Sequence, residues 1–346
     1  MSATPARESA RKPDPSRDVA TLAKAVRAGD RRALARAITL VESSRADHRA
    51  DAQALLDALL PHTGKSIRLG ITGIPGVGKS TFIESFGLHG IDGGHRVAVL
   101  AVDPTSQRSG GSILGDKTRM VALTRNADAF IRPSPAGRTL GGVARRTREA
   151  ILVCEAAGFD RILVETVGVG QSETAVHEMV DMFLLLLAPG GGDELQGIKK
   201  GIVELADLLI VNKADGDLAA AAGRAAGEYH HAMQLLHPPG GAWVPPVVTC
   251  SALEGKGIGE IWDKIADFDR AMADRGGIRA RRAAQARSWM WSEIGEELMA
   301  ALRADARVKG RVATLEDAVT AGRTTPSAAA RELLALFLDR PPASAG

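Results

Sequence analysis

A glycine-rich stretch in the first third of the chain has the residue types and spacing that hold the phosphates of a nucleotide. Residues 73–80 read Gly-Ile-Pro-Gly-Val-Gly-Lys-Ser, with an apolar run before them and a helix-like segment after them. In the order strand, glycine loop, helix, this pattern forms a loop whose backbone N–H groups surround phosphates. The helix N-terminus adds partial positive charge there. The predicted nucleotide contacts are Gly76, Val77, Gly78, Lys79, Ser80 and Thr81.

Two residues at the end of this loop suit the chemistry of a triphosphate. Lys79 can reach the β- and γ-phosphates, and the hydroxyl of Ser80 can bind Mg²⁺. Hydrolysis at such a site depends on positioning and charge neutralisation more than on covalent chemistry. Lys79 is therefore a predicted catalytic residue. Gln171, in a glycine-spaced stretch after another predicted strand, is a candidate for orienting the attacking water.

A second stretch has the residue types that select guanine. Residues 212–215 (Asn-Lys-Ala-Asp) directly follow an apolar run, and so do residues 251–253 (Ser-Ala-Leu). An aspartate at 215 can accept two hydrogen bonds from guanine, whereas adenine would leave the carboxylate unsatisfied at a cost of about 1–3 kcal/mol. Backbone N–H groups of 251–253 would complete the pocket, which predicts GTP and GDP as ligands; a turn after a strand is the alternative interpretation. The predicted base contacts are Asn212, Lys213, Asp215, Ser251, Ala252 and Leu253.

Two carboxylates lie at the ends of predicted strands near the phosphate loop. Asp103 closes one strand and Glu165 closes another. A Mg²⁺–nucleotide site needs such carboxylates, which hold the metal directly or through bound water. For Asp103, a helix or turn cap is the alternative interpretation. With Ser80, these residues form the predicted metal site.

The elements that must position these residues alternate between strands and helices. The predicted strands are 68–73, 96–103, 129–132, 161–166, 182–188, 208–212 and 246–250, and the predicted helices are 79–90, 141–157, 193–205, 218–236 and 259–273. Buried strands that alternate with helices predict an α/β fold with a doubly wound, mostly parallel sheet. Ligands bind such sheets at the carboxyl ends of the strands, where each stretch described above falls.

The remaining segments predict helical extensions around this domain. Residues 1–16 are interpreted as a disordered tail, 17–65 as a helical element, 66–273 as the nucleotide domain and 274–346 as a C-terminal helical arm. Within the arm, a helix over about 278–305 carries Trp289 and Trp291, which suit packing or a subunit interface. Two further helices are predicted over 315–321 and 326–338, the second with Thr325 as its N-cap.

Composition excludes several other classes of protein. Of 346 residues, 45% are hydrophobic but only 3% aromatic, which favours the aliphatic core of a covered parallel sheet. The formal net charge of +3 argues against nucleic-acid binding. Two cysteines, both in apolar segments, exclude a disulfide framework, and the longest apolar run is too short to cross a bilayer. We therefore expect a cytoplasmic or organelle-matrix protein with no membrane or nucleic-acid partner.

Longer motifs resemble those of one family. They are Glu-Thr-Val-Gly-Val-Gly-Gln-Ser-Glu at 165–173, Asp-Pro-Thr-Ser at 103–106 with Gly-Gly-Ser-Ile-Leu-Gly-Asp-Lys at 110–117, and Gly-Asp-Glu-Leu-Gln-Gly-Ile-Lys-Lys-Gly at 192–201. These motifs are similar to the signature of the methylmalonyl-CoA mutase-associated GTPases, the MeaB group of P-loop GTPases. The resemblance covers most of the chain.

The resemblance implies a homodimeric G protein that guards an adenosylcobalamin-dependent acyl-CoA mutase. GTP binding and hydrolysis would gate cofactor loading and would protect or reactivate the mutase. By position, the resemblance implies that residues 103–115 are switch I, with Asp116 near the metal, and that 165–173 are switch II. Residues 189–199 would be a third switch, with Lys199 as a further catalytic residue that reaches the nucleotide. For the glycines at the start of this third segment, the alternative interpretation is a plain linker into the next helix.

Two other functions use the same phosphate loop. A nickel-insertion GTPase would need clusters of His or Cys, whereas only His230 and His231 are adjacent here. A small-molecule kinase would not need the guanine-selecting residues 212–215, so a comparison of ATP with GTP discriminates it. The mutase itself stays open among methylmalonyl-, ethylmalonyl-, isobutyryl- and 2-hydroxyisobutyryl-CoA mutases.

Overall fold

A computed structural model of the chain describes residues 18–43, 45–102, 120–133, 140–166, 172–190, 200–236, 243–273 and 276–339. Within them lie the strands β1 (Ile67–Gly73), β2 (Val97–Val102), β3 (Ala129–Arg132), β4 (Arg161–Thr166), β5 (Met182–Leu187), β6 (Leu208–Val211) and β7 (Val247–Thr249). They form one sheet in the order β3-β2-β4-β1-β5-β6-β7, and every neighbouring pair is parallel. The predicted α/β fold with a mostly parallel sheet is confirmed.

The central parts of the strands are apolar and buried, because helices cover both faces of the sheet. All six residues of β2 and all six of β5 are buried, with no alternation between apolar and polar positions. Such continuous apolar runs are typical of parallel sheets that are covered on both sides. The strand boundaries agree with the sequence prediction to within one or two residues where the chain is described.

Helices connect the strands and form the two outer layers. In the first of two compact units, which ends at Arg282, they are α1 (Val19–Arg27), α2 (Arg31–Val41), α3 (Arg49–Leu59), α4 (Lys79–Asp92), α5 (Val121–Arg125), α6 (Leu140–Ala156), α7 (Ser172–His177), α8 (Lys200–Leu205), α9 (Ala219–Leu236) and α10 (Ile258–Ala273). Phe82 and Phe86 of α4 join Phe268 of α10 in one apolar cluster. Tyr229 and Met233 of α9 belong to a second cluster with β5 and β6.

The predicted N-terminal helices are present, and side-chain caps start two of them. Asp18 accepts a hydrogen bond from the backbone N–H of Ala20, and Asp30 caps α2 in the same way. Such caps satisfy N–H groups that have no partner inside the helix. The side chain of Arg31 donates to the carbonyl oxygens of Asn126 and Ala127 just before β3, and this fastens α2 to that side of the sheet.

Three helices form the C-terminal part of the chain. α11 (Gly277–Ala304) starts within the first unit, and α12 (Ala306–Thr320) and α13 (Pro326–Leu338) belong to the second unit, which starts at Ala283. Thr325 caps α13 as predicted. α12 starts nine residues before the predicted helix, because Asp305 caps it while buried apolar residues are sparse along it.

Two smaller features bear on the earlier expectations. Cys154 and Cys250 are buried free thiols, as predicted. Burial raises the pKa of Cys250 to about 12. Across the described ranges, no helix has both the length and the apolar character needed to cross a membrane.

Candidate nucleotide site

The predicted site residues that the structure describes lie at the carboxyl edge of the sheet. The phosphate loop follows β1 in the middle of the sheet, residues 212–215 follow β6, and residues 251–253 follow β7. Because all strands are parallel, these segments emerge on the same edge. This is the edge at which ligands bind in doubly wound sheets.

The backbone of the phosphate loop depends on glycine at Gly78. This residue has φ +94°, in the left-handed region that side chains rarely adopt, and α4 begins directly after it. A Cβ atom at this position would lie 2.7 Å from the side-chain nitrogen of Asn212. Gly78 therefore permits both the turn into the helix and the approach of Asn212.

The side chain of Lys79 folds back over the phosphate loop that precedes it. Its ammonium group donates to the carbonyl oxygens of Gly73 at 2.7 Å and Ile74 at 3.3 Å. Burial lowers the pKa of Lys79, while the buried carboxylates of Glu165 and Glu173 act to raise it. The structure therefore brings Lys79 together with the predicted metal ligand Glu165 and with Glu173, which the sequence analysis did not select as a site residue.

Asn212 joins the two halves of the site. Its Nδ2 donates to the carbonyl oxygen of Val77 at 2.9 Å, and its Oδ1 accepts from the N–H of Ala252 at 3.0 Å. The thiol of Cys250 lies 3.4 Å from the same oxygen. The amide group is buried and bonded at both ends, so the phosphate loop and the segment after β7 have one fixed relative position.

Hydrogen bonds within the protein shape the segment after β7, and its contacts with the base stay a prediction. The N–H groups of Ser251 and Ala252 were assigned to the base, but they donate within the protein, to the carbonyl oxygen of Lys256 and to Asn212. The reason is that buried N–H and carbonyl groups at this position require partners. Leu253, also a predicted base contact, is 80% exposed.

Asp215, the predicted guanine ligand, is half-buried and held by a neighbour. The hydroxyl of Ser251 donates to its carboxylate, and the same hydroxyl accepts from the N–H of Glu254 at 3.1 Å. Lys213 is exposed and has φ +62°, a left-handed conformation that is uncommon outside glycine. Ser251 thus contributes its side chain, which orients the carboxylate.

The predicted metal site is described only in part. Ser80 is half-buried in the first turn of α4, and Glu165 is buried near the end of β4. The other two predicted metal ligands, Asp103 and Asp116, lie outside the described residues, and so do the predicted catalytic residues Gln171 and Lys199. Among those that are described, no group of three or more His, Cys, Asp or Glu side chains is arranged to hold a metal ion.

Two threonines that the sequence analysis did not select as individual site residues lie beside the site, although Thr166 belongs to the motif at 165–173. The hydroxyls of Thr72 in β1 and Thr166 in β4 are 2.8 Å apart, and both residues are buried. A polar residue at the end of each of two apolar strands was the available signal. Neither residue belongs to the glycine-loop pattern, so their contact could be found only from the strand register.

The opposite edge of the sheet carries a buried network of charges. Arg68 makes two hydrogen bonds to Glu155 at 2.8 and 3.0 Å, and Arg282 contacts the carboxylate of Asp181 from Nε at 2.7 Å. Burial, the largest effect, raises the pKa of Glu155, but the bonds from Arg68, Ser66 and Gly64 together bring that pKa below its ordinary value. This network fastens the start of α11 to β1 and β5.

Arg281, next to this network, contacts the end of α7. Its guanidinium group lies 2.9 Å from Nε2 of His177 and donates to Asp207 at 3.1 Å. Burial and the charge of Arg281 lower the pKa of His177 to about 4. The imidazole is therefore neutral at neutral pH and accepts the hydrogen bond.

Comparison with known proteins gives one consistent result. The family model described as "Methylmalonyl Co-A mutase-associated GTPase MeaB" matches residues 34–307. A Caulobacter vibrioides protein named "Putative GTPase" is 57% identical over 93% of this chain and 99% of its own length. The mouse protein "Methylmalonic aciduria type A homolog, mitochondrial" is 49% identical over 90% of this chain and 78% of its own. A crystal structure titled "LAO/AO transport system kinase" has a TM-score of 0.73 at 41% identity, covering 92% of this chain and 97% of that one.

Proposed function

The chain belongs to the family of methylmalonyl-CoA mutase-associated GTPases, and from that premise we propose that it is a chaperone of an adenosylcobalamin-dependent acyl-CoA mutase. The protein is a P-loop GTPase. In the proposed role, GTP binding and hydrolysis gate the loading of adenosylcobalamin and protect or reactivate the mutase. The partner is methylmalonyl-CoA mutase or a close relative such as 2-hydroxyisobutyryl-, isobutyryl- or ethylmalonyl-CoA mutase.

The contact of Asn212 with Val77 is the observation that best supports a guanine nucleotide bound across these two segments. It joins the segment that would read the base to the loop that would hold the phosphates. Asp215, held by Ser251, would accept from the guanine ring, and the stem of Lys213 would cover the base. In this arrangement, base recognition fixes the phosphate loop in position for hydrolysis.

The γ-phosphate would be held by Lys79 together with N–H groups of the loop. In the structure, the ammonium group of Lys79 donates to two carbonyl oxygens of the loop. A phosphate is a stronger, charged acceptor and would compete with these carbonyls for the ammonium group. The proposed Mg²⁺ ligands are Ser80, Asp103, Asp116 and Glu165, acting directly or through water. When bound, Mg²⁺ would neutralise phosphate charge. Gln171 would orient water, and Lys199 would reach the nucleotide.

We further propose that the chain forms a homodimer through its C-terminal arm, residues 274–346. α11 presents several large apolar side chains to solvent, namely Met290, Trp291, Ile294, Leu298 and Met299. Light scattering of the whole chain tests this part separately, since a monomer at micromolar concentration would contradict it. No observation in the described part of the chain favours the nickel-insertion alternative.

The decisive experiment follows cobalamin with candidate mutases. The purified chain is mixed with each mutase, and transfer or release of adenosylcobalamin is measured by absorbance in GDP and in a non-hydrolysable GTP analogue. We expect one mutase to form a complex and to show different transfer in the two nucleotides. Single-turnover GTP hydrolysis should also accelerate when that mutase is added.

A matched variant makes this experiment specific for the nucleotide. Asp215→Asn should abolish the effect of GTP, whereas Asp217→Asn, which changes an exposed carboxylate two residues away, should leave it intact. Equal transfer in both nucleotides, with hydrolysis unchanged by every mutase tested, would refute the chaperone function and leave the GTPase activity standing.

A further inference from the structure

The hydroxyl pair of Thr72 and Thr166 lies where β1 and β4 separate. The two oxygens are 2.8 Å apart, and the residues are 1% and 0% exposed. The two strands pair in register as far as Ile71 and Glu165. The hydroxyl pair is therefore one residue further on, towards the nucleotide edge.

The residues that follow this pair in sequence belong to the phosphate loop and to the predicted switch II. Thr72 precedes Gly73, the first residue of the phosphate loop, and Thr166 precedes segment 167–171. On its other side, Thr166 pairs with Val102, the last residue of β2, which precedes the predicted metal ligand Asp103. Thr166 thus lies beside the last residue of β2, which precedes the predicted switch I, and itself belongs to the predicted switch II.

Close packing fixes the chain just beyond segment 167–171. Gly70 and Thr72 share one face of β1, because side chains alternate along a strand. A Cβ atom at Gly70 would lie 2.7 Å from Phe183 and 3.0 Å from Val176 of α7. α7 therefore lies directly against β1, and the hydroxyl pair gives a second fixed point just before the same segment.

We propose that Thr72 and Thr166 are a positioning pair for GTP hydrolysis. Their hydrogen bond fixes the end of β4 against the start of the phosphate loop, and so sets where the neighbouring Glu165 stands relative to the γ-phosphate. GDP lacks that phosphate, so the pair acts on turnover and on the preference for GTP over GDP. The proposal rests on the nucleotide site at this edge and is independent of the mutase.

Valine variants test the pair, because valine keeps the branched shape and removes the hydroxyl. We expect Thr166→Val and Thr72→Val each to lower the single-turnover rate roughly ten- to a hundred-fold, as a small misplacement of reacting groups does. Each should also raise the Mg²⁺ concentration that gives half-maximal rate. The double variant should be no slower than either single variant, since both remove the same bond.

Nucleotide affinities separate positioning from a general loosening of the sheet. In fluorescence titrations, the affinity for GDP should stay within about two-fold of the unmodified protein, while that for a non-hydrolysable GTP analogue falls by more. Unchanged GDP binding also shows that the variants are folded. Thr72→Val makes the same test from β1, so the result does not depend on the folding of one variant.

Thr147 provides a matched control. It is equally buried, and its hydroxyl donates to the carbonyl oxygen of Val143 within α6 at 2.9 Å. Thr147→Val should leave the rate and the Mg²⁺ dependence unchanged, and Thr166→Ser, which keeps the hydroxyl, should retain the rate. The proposal is overturned if Thr166→Val is no slower than Thr147→Val, if the single effects add in the double variant, or if GDP and GTP-analogue affinities fall equally.

Discussion

Asn212 donates from Nδ2 to the carbonyl oxygen of Val77 over 2.9 Å, and this bond joins the predicted base site to the phosphate loop. The same side chain accepts from Ala252, so its removal leaves two buried backbone groups without partners. Such groups cost about 1–3 kcal/mol each when left unsatisfied. Asn212 therefore links the predicted base site to the phosphate loop.

The first prediction concerns that residue. Asn212→Ala should weaken GDP binding by roughly ten- to a hundred-fold, because the phosphate loop loses its attachment. Calorimetric titration measures the loss. Asn126→Ala, which removes an amide from a turn before β3, is the control and should bind normally. Normal GDP affinity in Asn212→Ala would show that the loop holds its shape without the bond.

A second prediction concerns the choice of base. Asp215→Asn presents an amide N–H where guanine also has a donor, so GTP should bind at least about a hundred-fold more weakly. Xanthosine triphosphate, which carries oxygen at that position of the ring, should bind better to the variant than to the unmodified protein. Competition titrations with both nucleotides and ATP measure this. An unchanged order of preference would remove Asp215 from the base site.

The conformation of Gly78 gives a third prediction. Gly78→Ala combines a left-handed backbone, which costs about 1–2 kcal/mol, with a Cβ that lies 2.7 Å from Asn212. Nucleotide affinity should fall more than ten-fold by the same titration. Gly94→Ala has a similar φ of +86° with open space around it, so it tests backbone strain alone. It should lower stability slightly while binding stays normal.

The fourth prediction is a pH dependence that comes from His177. Its pKa of about 4 in the folded chain lies below the ordinary 6.5, so the unfolded chain binds more protons between these values. The free energy of unfolding should therefore fall as pH drops from about 6.5 to about 4. His177→Gln, which keeps an acceptor for Arg281, should flatten that part of the profile.

Urea unfolding at several pH values measures this profile. The exposed His230, changed to Gln, is the control and should leave the profile as it is. If His177→Gln follows the same curve as the unmodified protein, other groups dominate the acid response.

The buried pair of Arg68 and Glu155 gives the fifth prediction. Glu155→Gln should lower the free energy of unfolding at neutral pH by about 3–5 kcal/mol, since Arg68 then stays buried without its charge partner. Because the folded pKa of Glu155 is lowered, its contribution is present above the ordinary carboxyl pKa and is lost as pH falls through the folded value.

Asp267→Asn provides the control for this change. Asp267 pairs with Arg270 on the surface of α10, so its loss should cost no more than about 1 kcal/mol. If the two variants lose similar amounts of unfolding free energy, burial does not make the pair of Arg68 and Glu155 more stabilising than a surface pair.

Local sequence patterns were sufficient to predict most of the fold and to locate the glycine loop. The buried strands and the glycine loop are contiguous in sequence, so composition and spacing were enough to find them. Contacts between distant residues were not accessible in this way. The bond of Asn212 to Ala252 takes the N–H group that the sequence had assigned to the base, and the pairing of Thr72 with Thr166 depends on strand register.

Helix boundaries also depended on whether a local sequence signal marks them. α2 begins directly after Gly29 and Asp30, a strong local signal, and Asp30 caps it. α12 begins after Asp305, but only Val308 and Leu315 are buried along it, so the apolar period that marks a helix is weak. Propensity and capping were sufficient to form the helix where burial gave little pattern.

The ion pair of Arg282 with Asp181 bears on where the chain can be shortened. Nε of Arg282 donates to a carboxylate whose side chain is fully buried, and its other nitrogens bond to the carbonyl oxygens of Gly64 and Ser66. A protein that stops after Ala273 would leave the carboxylate of Asp181 buried without the cation that pairs with it. One that stops after Arg282 keeps it neutralised, and the first compact unit accordingly ends nine residues beyond the border predicted at residue 273.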